Sequence, residues 1–283
     1  MKKIVLSSVL ASGLLLAAPV VDPKLAADIA AAKEVKTAAD EKLKALEAKL
    51  PQNQDIIANI KLGYMDTKGN TNTETFSLDG KAKKEFDTQY ISLVFDAQYG
   101  NADNSTGVNE VIKNKYFTEL EYGYRITDRL SVTAVLGYKN DSFSSYNYQS
   151  YIGPGLKYLT YKSDIQKLDL EASVLYSSDD IQERYITQNG LESEYASYKA
   201  KLTYELQIVE NLKFEQELSY RASFNESTNY FAFSNSSLSS KISDIFSAGV
   251  SYKVDYTNEV APSIYRADRT LTAFLSVDYS LAY

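Results

Sequence analysis

A two-residue rhythm runs from residue 55 to the end of this chain, and it limits the fold more than any other feature. In the closing stretch "LTAFLSVDYSLAY", Leu271, Ala273, Leu275, Val277, Tyr279, Leu281 and Tyr283 share one side, while Thr272, Ser276, Asp278 and Ser280 share the other. A period of two is that of a β-strand with one apolar and one wet face. The same alternation marks 56–64, 76–83, 91–99, 116–125, 130–139, 152–158, 168–176, 198–206, 212–220 and 246–254. A blurred version, "NYFAFSNSSLSSKIS" at 229–243, completes twelve expected strands. Its pattern is confused by Phe231, Phe233 and a run of serines.

The wet phase decides between architectures. It carries the cations Lys61, Lys81, Arg125, Lys139, Lys199, Lys201, Arg221 and Lys253. It also carries the anions Asp96, Glu119, Glu121, Asp169, Glu171, Glu205, Glu215 and Glu217. Such a face is too charged for the core of a sandwich, and no second apolar set exists to cover twelve half-apolar strands. A closed antiparallel barrel with apolar residues against lipid and charged residues inside satisfies every strand, and it is one of two backbone solutions for crossing a bilayer. The fold expected is therefore all-β, a twelve-stranded transmembrane barrel, with an N-terminal α-helix ahead of it.

Two further patterns agree. Tyrosines gather near strand ends, among them Tyr64, Tyr99, Tyr116, Tyr138, Tyr158, Tyr176 and Tyr220, where a ring with a polar tip suits a membrane interface. Connections after even strands are short ("FDTQ", "TDR", "SDIQ", "EN", "SD"), whereas those after odd strands include "NADNSTGVNEV", "SSDDIQERYITQNGLESE" and "EVAPSIYRAD". Outer-membrane barrels place short turns in the periplasm and long loops outside, and an even strand number returns both termini to the periplasm.

Residues 1–18 have the layout of a secretory signal peptide, with Lys2 and Lys3 before an apolar run that closes on Ala17 and Ala18. That run is shorter than the ~20 residues a spanning helix needs. Residues 19–54 are expected to form an amphipathic helix and linker, periplasmic or plugging the lumen. Within 23–51, Leu25, Ile29, Ala32, Val35, Ala39, Leu43, Leu46 and Leu50 make a narrow apolar stripe suited to self-association or to a periplasmic partner. The barrel then occupies 55–283, and the expected location is the bacterial outer membrane, in contact with its lipid.

Composition excludes several chemistries. The chain has no cysteine, so neither disulfides nor a lipid-bearing Cys contribute. It has no histidine, so no Ser-His or Asp-His pair can be assembled and the usual routes to proton relay are closed. A net charge of −7 argues against nucleic acid. Glu119 with Glu121, and Glu215 with Glu217, place carboxylates about 7 Å apart by strand rise, but such pairs arise on any charged strand face. No enzyme activity, catalytic residue or cofactor is expected. The acidic "SSDDIQE" stretch (Asp179, Asp180, Glu183) lacks a calcium-loop signature and reads as a solvated loop, so no metal site is expected. For the charged lumen two readings compete: a narrow pore for small solutes, whose nearly balanced lining gives weak selectivity, or a closed interior cross-linked by ion pairs. The pore is the reading adopted.

Three stretches carry a resemblance: "GYMDTKGNTNTETFSLDGKAKKEF" (63–86), "YGYRITDRLSVTAVLGYKNDSF" (122–143) and "YIGPGLKY" (151–158). Together they resemble the YdiY-like family of salt-induced outer-membrane proteins, for which no biochemical function is assigned. The "T-x-GNT" hairpin at Thr67, Gly69, Asn70 and Thr71 carries most of the match, and the helix at 23–51 lies outside it. The resemblance implies an outer-membrane barrel and supplies no catalytic residues.

Overall fold

The computed structural model describes residues 33, 37, 42, 56–67, 72–103, 107–182, 193–262 and 264–281. The signal segment, nearly all of the helix expected at 23–51, the hairpin tip at 68–71 and loop residues 183–192 lie outside them. The chain divides into two units, Met1–Gln52 and Asn53–Tyr283. In the first, Lys33, Thr37 and Lys42 have helical backbone, and the Thr37 hydroxyl donates to the Lys33 carbonyl at 2.9 Å.

The second unit is a closed antiparallel barrel of twelve strands, each paired with its neighbours in sequence and the last with the first. These are β1 (Ile56–Thr67), β2 (Thr73–Glu85), β3 (Gln89–Asp103), β4 (Asn109–Arg125), β5 (Leu130–Asp141) and β6 (Tyr146–Lys162). They continue with β7 (Gln166–Ile181), β8 (Glu194–Val209), β9 (Leu212–Ser223), β10 (Tyr230–Lys241), β11 (Phe246–Thr257) and β12 (Ala267–Leu281). Closure of β1 on β12, from Ile56 opposite Leu281 to Gly63 opposite Phe274, leaves no sheet edge unpaired. One end of the barrel carries the tight turns after the even strands and the start of β1; the other carries the loops after the odd strands.

The barrel is inside out relative to a water-soluble protein. Leu62, Leu93, Leu120, Leu136, Ile152, Val174, Leu218, Val250 and Leu275 point outward and are exposed. Glu119, Glu121, Lys115, Lys199, Arg221 and Lys253 are buried within. Outward tyrosines pack side by side across neighbouring strands at the loop end. One arc runs Tyr116–Tyr138–Tyr148, with ring centroids 5.9 and 6.0 Å apart. The other runs Tyr198–Tyr220–Tyr230–Tyr256, at 6.1, 5.6 and 5.9 Å.

Not every aromatic ring faces outward. Tyr90, Tyr151 and Phe274 sit in the wet phase and are buried inside, and each has glycine beside it on an adjacent strand: Gly123 opposite Tyr90, Gly137 opposite Tyr151, Gly249 and Gly63 flanking Phe274. The ring lies across the bare backbone. A Cβ at Gly137 would fall 2.1 Å from Cζ of Tyr151, and one at Gly123 would fall 2.2 Å from Cζ of Tyr90. Glycine here is required by close approach of a neighbour.

The blurred segment proves to be β10, and its confusion has a physical cause. Phe231 and Phe233 share the inner face, with the Phe231 ring 4.5 Å from the Arg221 guanidinium. Ser234 and Ser236 take the outer face, where both bond to Gln216 of β9 at 3.2 and 2.5 Å. Apolar and polar phases are exchanged over these positions, so alternation in composition fades while alternation in geometry persists.

Candidate functional site

Side chains that meet across strands which are not neighbours can do so only through the interior, and many of the charged residues named from sequence do this. Lys61 of β1 reaches Glu215 of β9 at 3.1 Å. Lys253 of β11 donates to Asp79 of β2 and to Asp96 of β3. Lys199 and Lys201 of β8 both reach Glu119 of β4, Lys201 at 3.5 Å, and Tyr151 of β6 also donates to Glu119. Glu121 accepts from Tyr90 at 2.8 Å and from Lys157 at 3.4 Å, and Lys157 also holds Glu171 at 2.7 Å. Each of these carboxylates is held by cations or hydroxyls, so Glu119 and Glu121 do not form a free acid–base pair.

Other named residues pair more locally. Lys213 lies 2.8 Å from both Glu205 and Glu215, Lys201 lies 3.6 Å from Glu217, and Lys167 lies 2.7 Å from Asp169. Arg125 donates to Glu85, and its guanidinium lies 5.8 Å from the Tyr90 ring centroid. Lys81 is exposed inside the turn-end half.

Other interior pairings bring in Lys115, Asp179 and Asp268, which were not assigned to the lumen from sequence. Lys139 pairs with Asp255 of β11 at 2.9 Å, not with its strand neighbour Asp141. Asp255 also holds Lys115 of β4 at 3.1 Å, and Lys115 in turn lies 2.7 Å from Asp268 of β12. Asp179 corrects a local reading. It belongs to β7 and is buried at 1% exposure, with Arg221 Nη2 donating to its two oxygens at 3.3 and 3.1 Å and Tyr195 donating at 2.5 Å. Arg221 Nη1 also donates to Ser177 at 2.7 Å. The strands run past the ends that alternation marked, which is why Lys115, Asp179 and Asp268 were missed; the two-residue phase, extended outward, places all three inside.

The interior therefore changes along its length. At the turn end water reaches the side chains: Lys167 is 38% exposed, Lys213 36% and Glu217 33%. In the middle the space is filled by Val135, Tyr151 and Leu175 with Phe117 packed against them and by buried ion pairs, while toward the loop end Asp255 and Asp268 are again partly exposed, at 27% and 42%. The loop after β11 crosses the mouth. Its Ala261 N–H donates at 3.1 Å to the hydroxyl of Ser145, in the β5–β6 connection on the opposite side of the barrel, and Ala261 is buried. Among the described residues no cluster of acidic side chains could hold a metal ion.

Comparison with known proteins adds a family. Three solved structures align over most of their length. The NanC porin is 11% identical, with 81% of this chain and 100% of that chain covered and a TM-score of 0.44. The COG4313 outer membrane channel from Pseudomonas putida F1 is 10% identical, with 82% and 97% covered and a TM-score of 0.44. The KdgM porin is 12% identical, with 80% and 99% covered and a TM-score of 0.38. Likeness at these scores carries no argument about this chain, whose barrel rests on its own strand register. No curated protein matches the chain. The family described as "Protein of unknown function, DUF481" matches residues 60–279, from the middle of β1 to the last turn-end residues of β12, and the chain belongs to that family.

Proposed function

We propose that this protein is a narrow outer-membrane channel for small solutes, closed in this conformation and weakly charge-selective when open. The observation that carries this reading is an apolar exterior around an interior rich in ion pairs and wetted at the turn end. Ion pairs in a closed interior are a poor source of stability, since apolar residues of similar volume do as well or better. Their retention is accounted for by a lumen that water and solutes enter. Residues 61, 81, 125, 139, 199, 201, 221 and 253 supply positive charge and residues 96, 119, 121, 169, 171, 205, 215 and 217 negative charge, a balance that favours neither ion. The turn end faces the periplasm and the loop end the outside.

A second reading has its own support. The pairs that cross the lumen and the loop that roofs its mouth favour a non-conducting barrel, which binds a periplasmic partner through residues 23–51 or is plugged by them. Planar-bilayer recording separates the two. Conductance steps from the full chain support the channel; steps that appear only after deletion of 23–51 make that segment a plug; silence in both forms removes the channel reading. Membrane insertion is tested independently. Nitroxides at Leu202 and Val250, both on the outer face, are expected to be relaxed by lipid-soluble oxygen far more than by a water-soluble chelate, and the reverse would remove the membrane assignment.

A further inference from the structure

The channel reading leaves open what keeps the lumen shut. Strand order answers part of this, because β5 and β11 stand six places apart in a ring of twelve and are diametrically opposite. A direct bond between them spans the full width of the lumen. Lys139 of β5 and Asp255 of β11 make that bond at 2.9 Å. The same carboxylate takes a second cation, Lys115 of β4, at 3.1 Å. Lys115 also bonds across to Asp268 of β12 at 2.7 Å, and Lys113 reaches Asp268 at 3.4 Å. One wall of the barrel thus offers lysines and the facing wall offers aspartates. The contact is not sealed within a dry core, since the side chains of Lys139 and Asp255 are 24% and 27% exposed.

We infer that Asp255 is the latch of one constriction of the lumen: it holds the β4–β5 wall against the β11–β12 wall through Lys115 and Lys139, and that constriction widens when these bonds part. This deepens the channel reading, on which its physiological meaning rests. Two features make the latch releasable. Both lysines are long flexible chains on rigid strands, so side-chain rotation alone clears the space without breaking any backbone ladder. Partial water access also offers each charge an alternative partner once they separate, unlike the dry Arg221–Asp179 pair. Loss of Asp255 frees Lys139 from the facing wall and leaves Lys115, its like-charged neighbour on the adjacent strand, with Asp268 alone, which weakens the hold between the walls.

The absence of native cysteine allows two independent readouts. Ser251 faces the interior two residues along the same face from Lys253 and is buried, so a Ser251→Cys thiol reports opening through its labelling rate with a membrane-impermeant reagent. In that background, Asp255→Asn is expected to raise the labelling rate about tenfold or more, the effect of roughly 1.4 kcal/mol on a two-state gate. Lys139→Met, which keeps the Lys115 bond, is expected to raise it less and guards against a folding defect in the first variant. An unchanged rate in both overturns the latch, whatever the conductance. Raised labelling with open-channel steps in the bilayer supports both latch and channel. Raised labelling with no steps in any variant keeps the latch and overturns the channel reading. As a further check, Lys139→Cys with Asp255→Cys, bridged by a short reducible bis-thiosulfonate because the two residues are too far apart for a direct disulfide, is expected to abolish steps until reductant is added. Steps that persist through the bridge overturn the latch and leave the channel standing.

Discussion

Replacement of Arg221 by leucine is expected to destabilise the barrel by about 3–5 kcal/mol. The cause is what remains behind. Asp179 is buried, and its charge is met by Arg221 through two hydrogen bonds, by the Tyr195 hydroxyl and by the Gln149 amide at 3.4 Å. Without the guanidinium the carboxylate keeps its neutral donors and loses the one cation that pairs with it among the described residues. Ser177, wholly buried, loses a donor as well and keeps its contact with Ser197 at 2.7 Å. The rings of Phe231 and Tyr151 lose the cation 4.5 and 5.3 Å from their centroids. Denaturant titration of the detergent-folded barrel, read by heat-modifiable migration or tryptophan-free far-ultraviolet dichroism, measures the loss. The pairing account makes a sharper demand: Asp179→Asn added to Arg221→Leu should recover a large part of the deficit, because it removes the orphaned charge. If the double variant is as unstable as the sum of the two single changes, the cluster is held by packing and not by the ion pair.

The second large effect is expected at Gly137. Alanine there places a Cβ 2.1 Å from Tyr151 Cζ and 2.5 Å from its hydroxyl oxygen, so the ring must leave its seat. Displacement costs about 1–3 kcal/mol in strain, and loss of the Tyr151 bond to the Glu119 carboxylate adds about 1.5–3 kcal/mol. A total near 4 kcal/mol is expected from these two terms. The Lys199 ammonium, 5.0 Å from the Tyr151 ring centroid, would be disturbed with it. The test is a double-mutant cycle. In a Tyr151→Ala background the same Gly137→Ala change should cost almost nothing, since no ring remains to collide with. An equal cost in both backgrounds would mean that Gly137 matters for backbone reasons and that the ring plays no part.

These two sites also show how differently parts of the molecule could be read in advance. Strand positions followed from alternation because side-chain direction in a strand is a local property, fixed by the pleat two residues at a time. Inner and outer faces followed from charge, because twelve half-apolar strands with no second apolar layer leave one closed solution. The Gly137–Tyr151 pair carried a faint signal. Both residues fall in the wet phase, yet nothing near Gly137 in sequence says that Tyr151, a strand away, will lie over it. Where β10 exchanges its phases, with Phe231 inside and Ser234 outside, the local signal faded because composition and geometry parted company.

What sequence alone determined, then, was the number and phase of the strands, their closure into a barrel and the ionic character of the lumen. Who pairs with whom was decided only in three dimensions. Lys139 has Asp141 two residues away on the same face but bonds to Asp255, 116 residues distant in the chain, from the opposite wall. Alternation fixes the face a side chain is on; it says nothing of how wide the barrel closes or of which charges then confront each other across it. Those distances depend on the register of all twelve strands together.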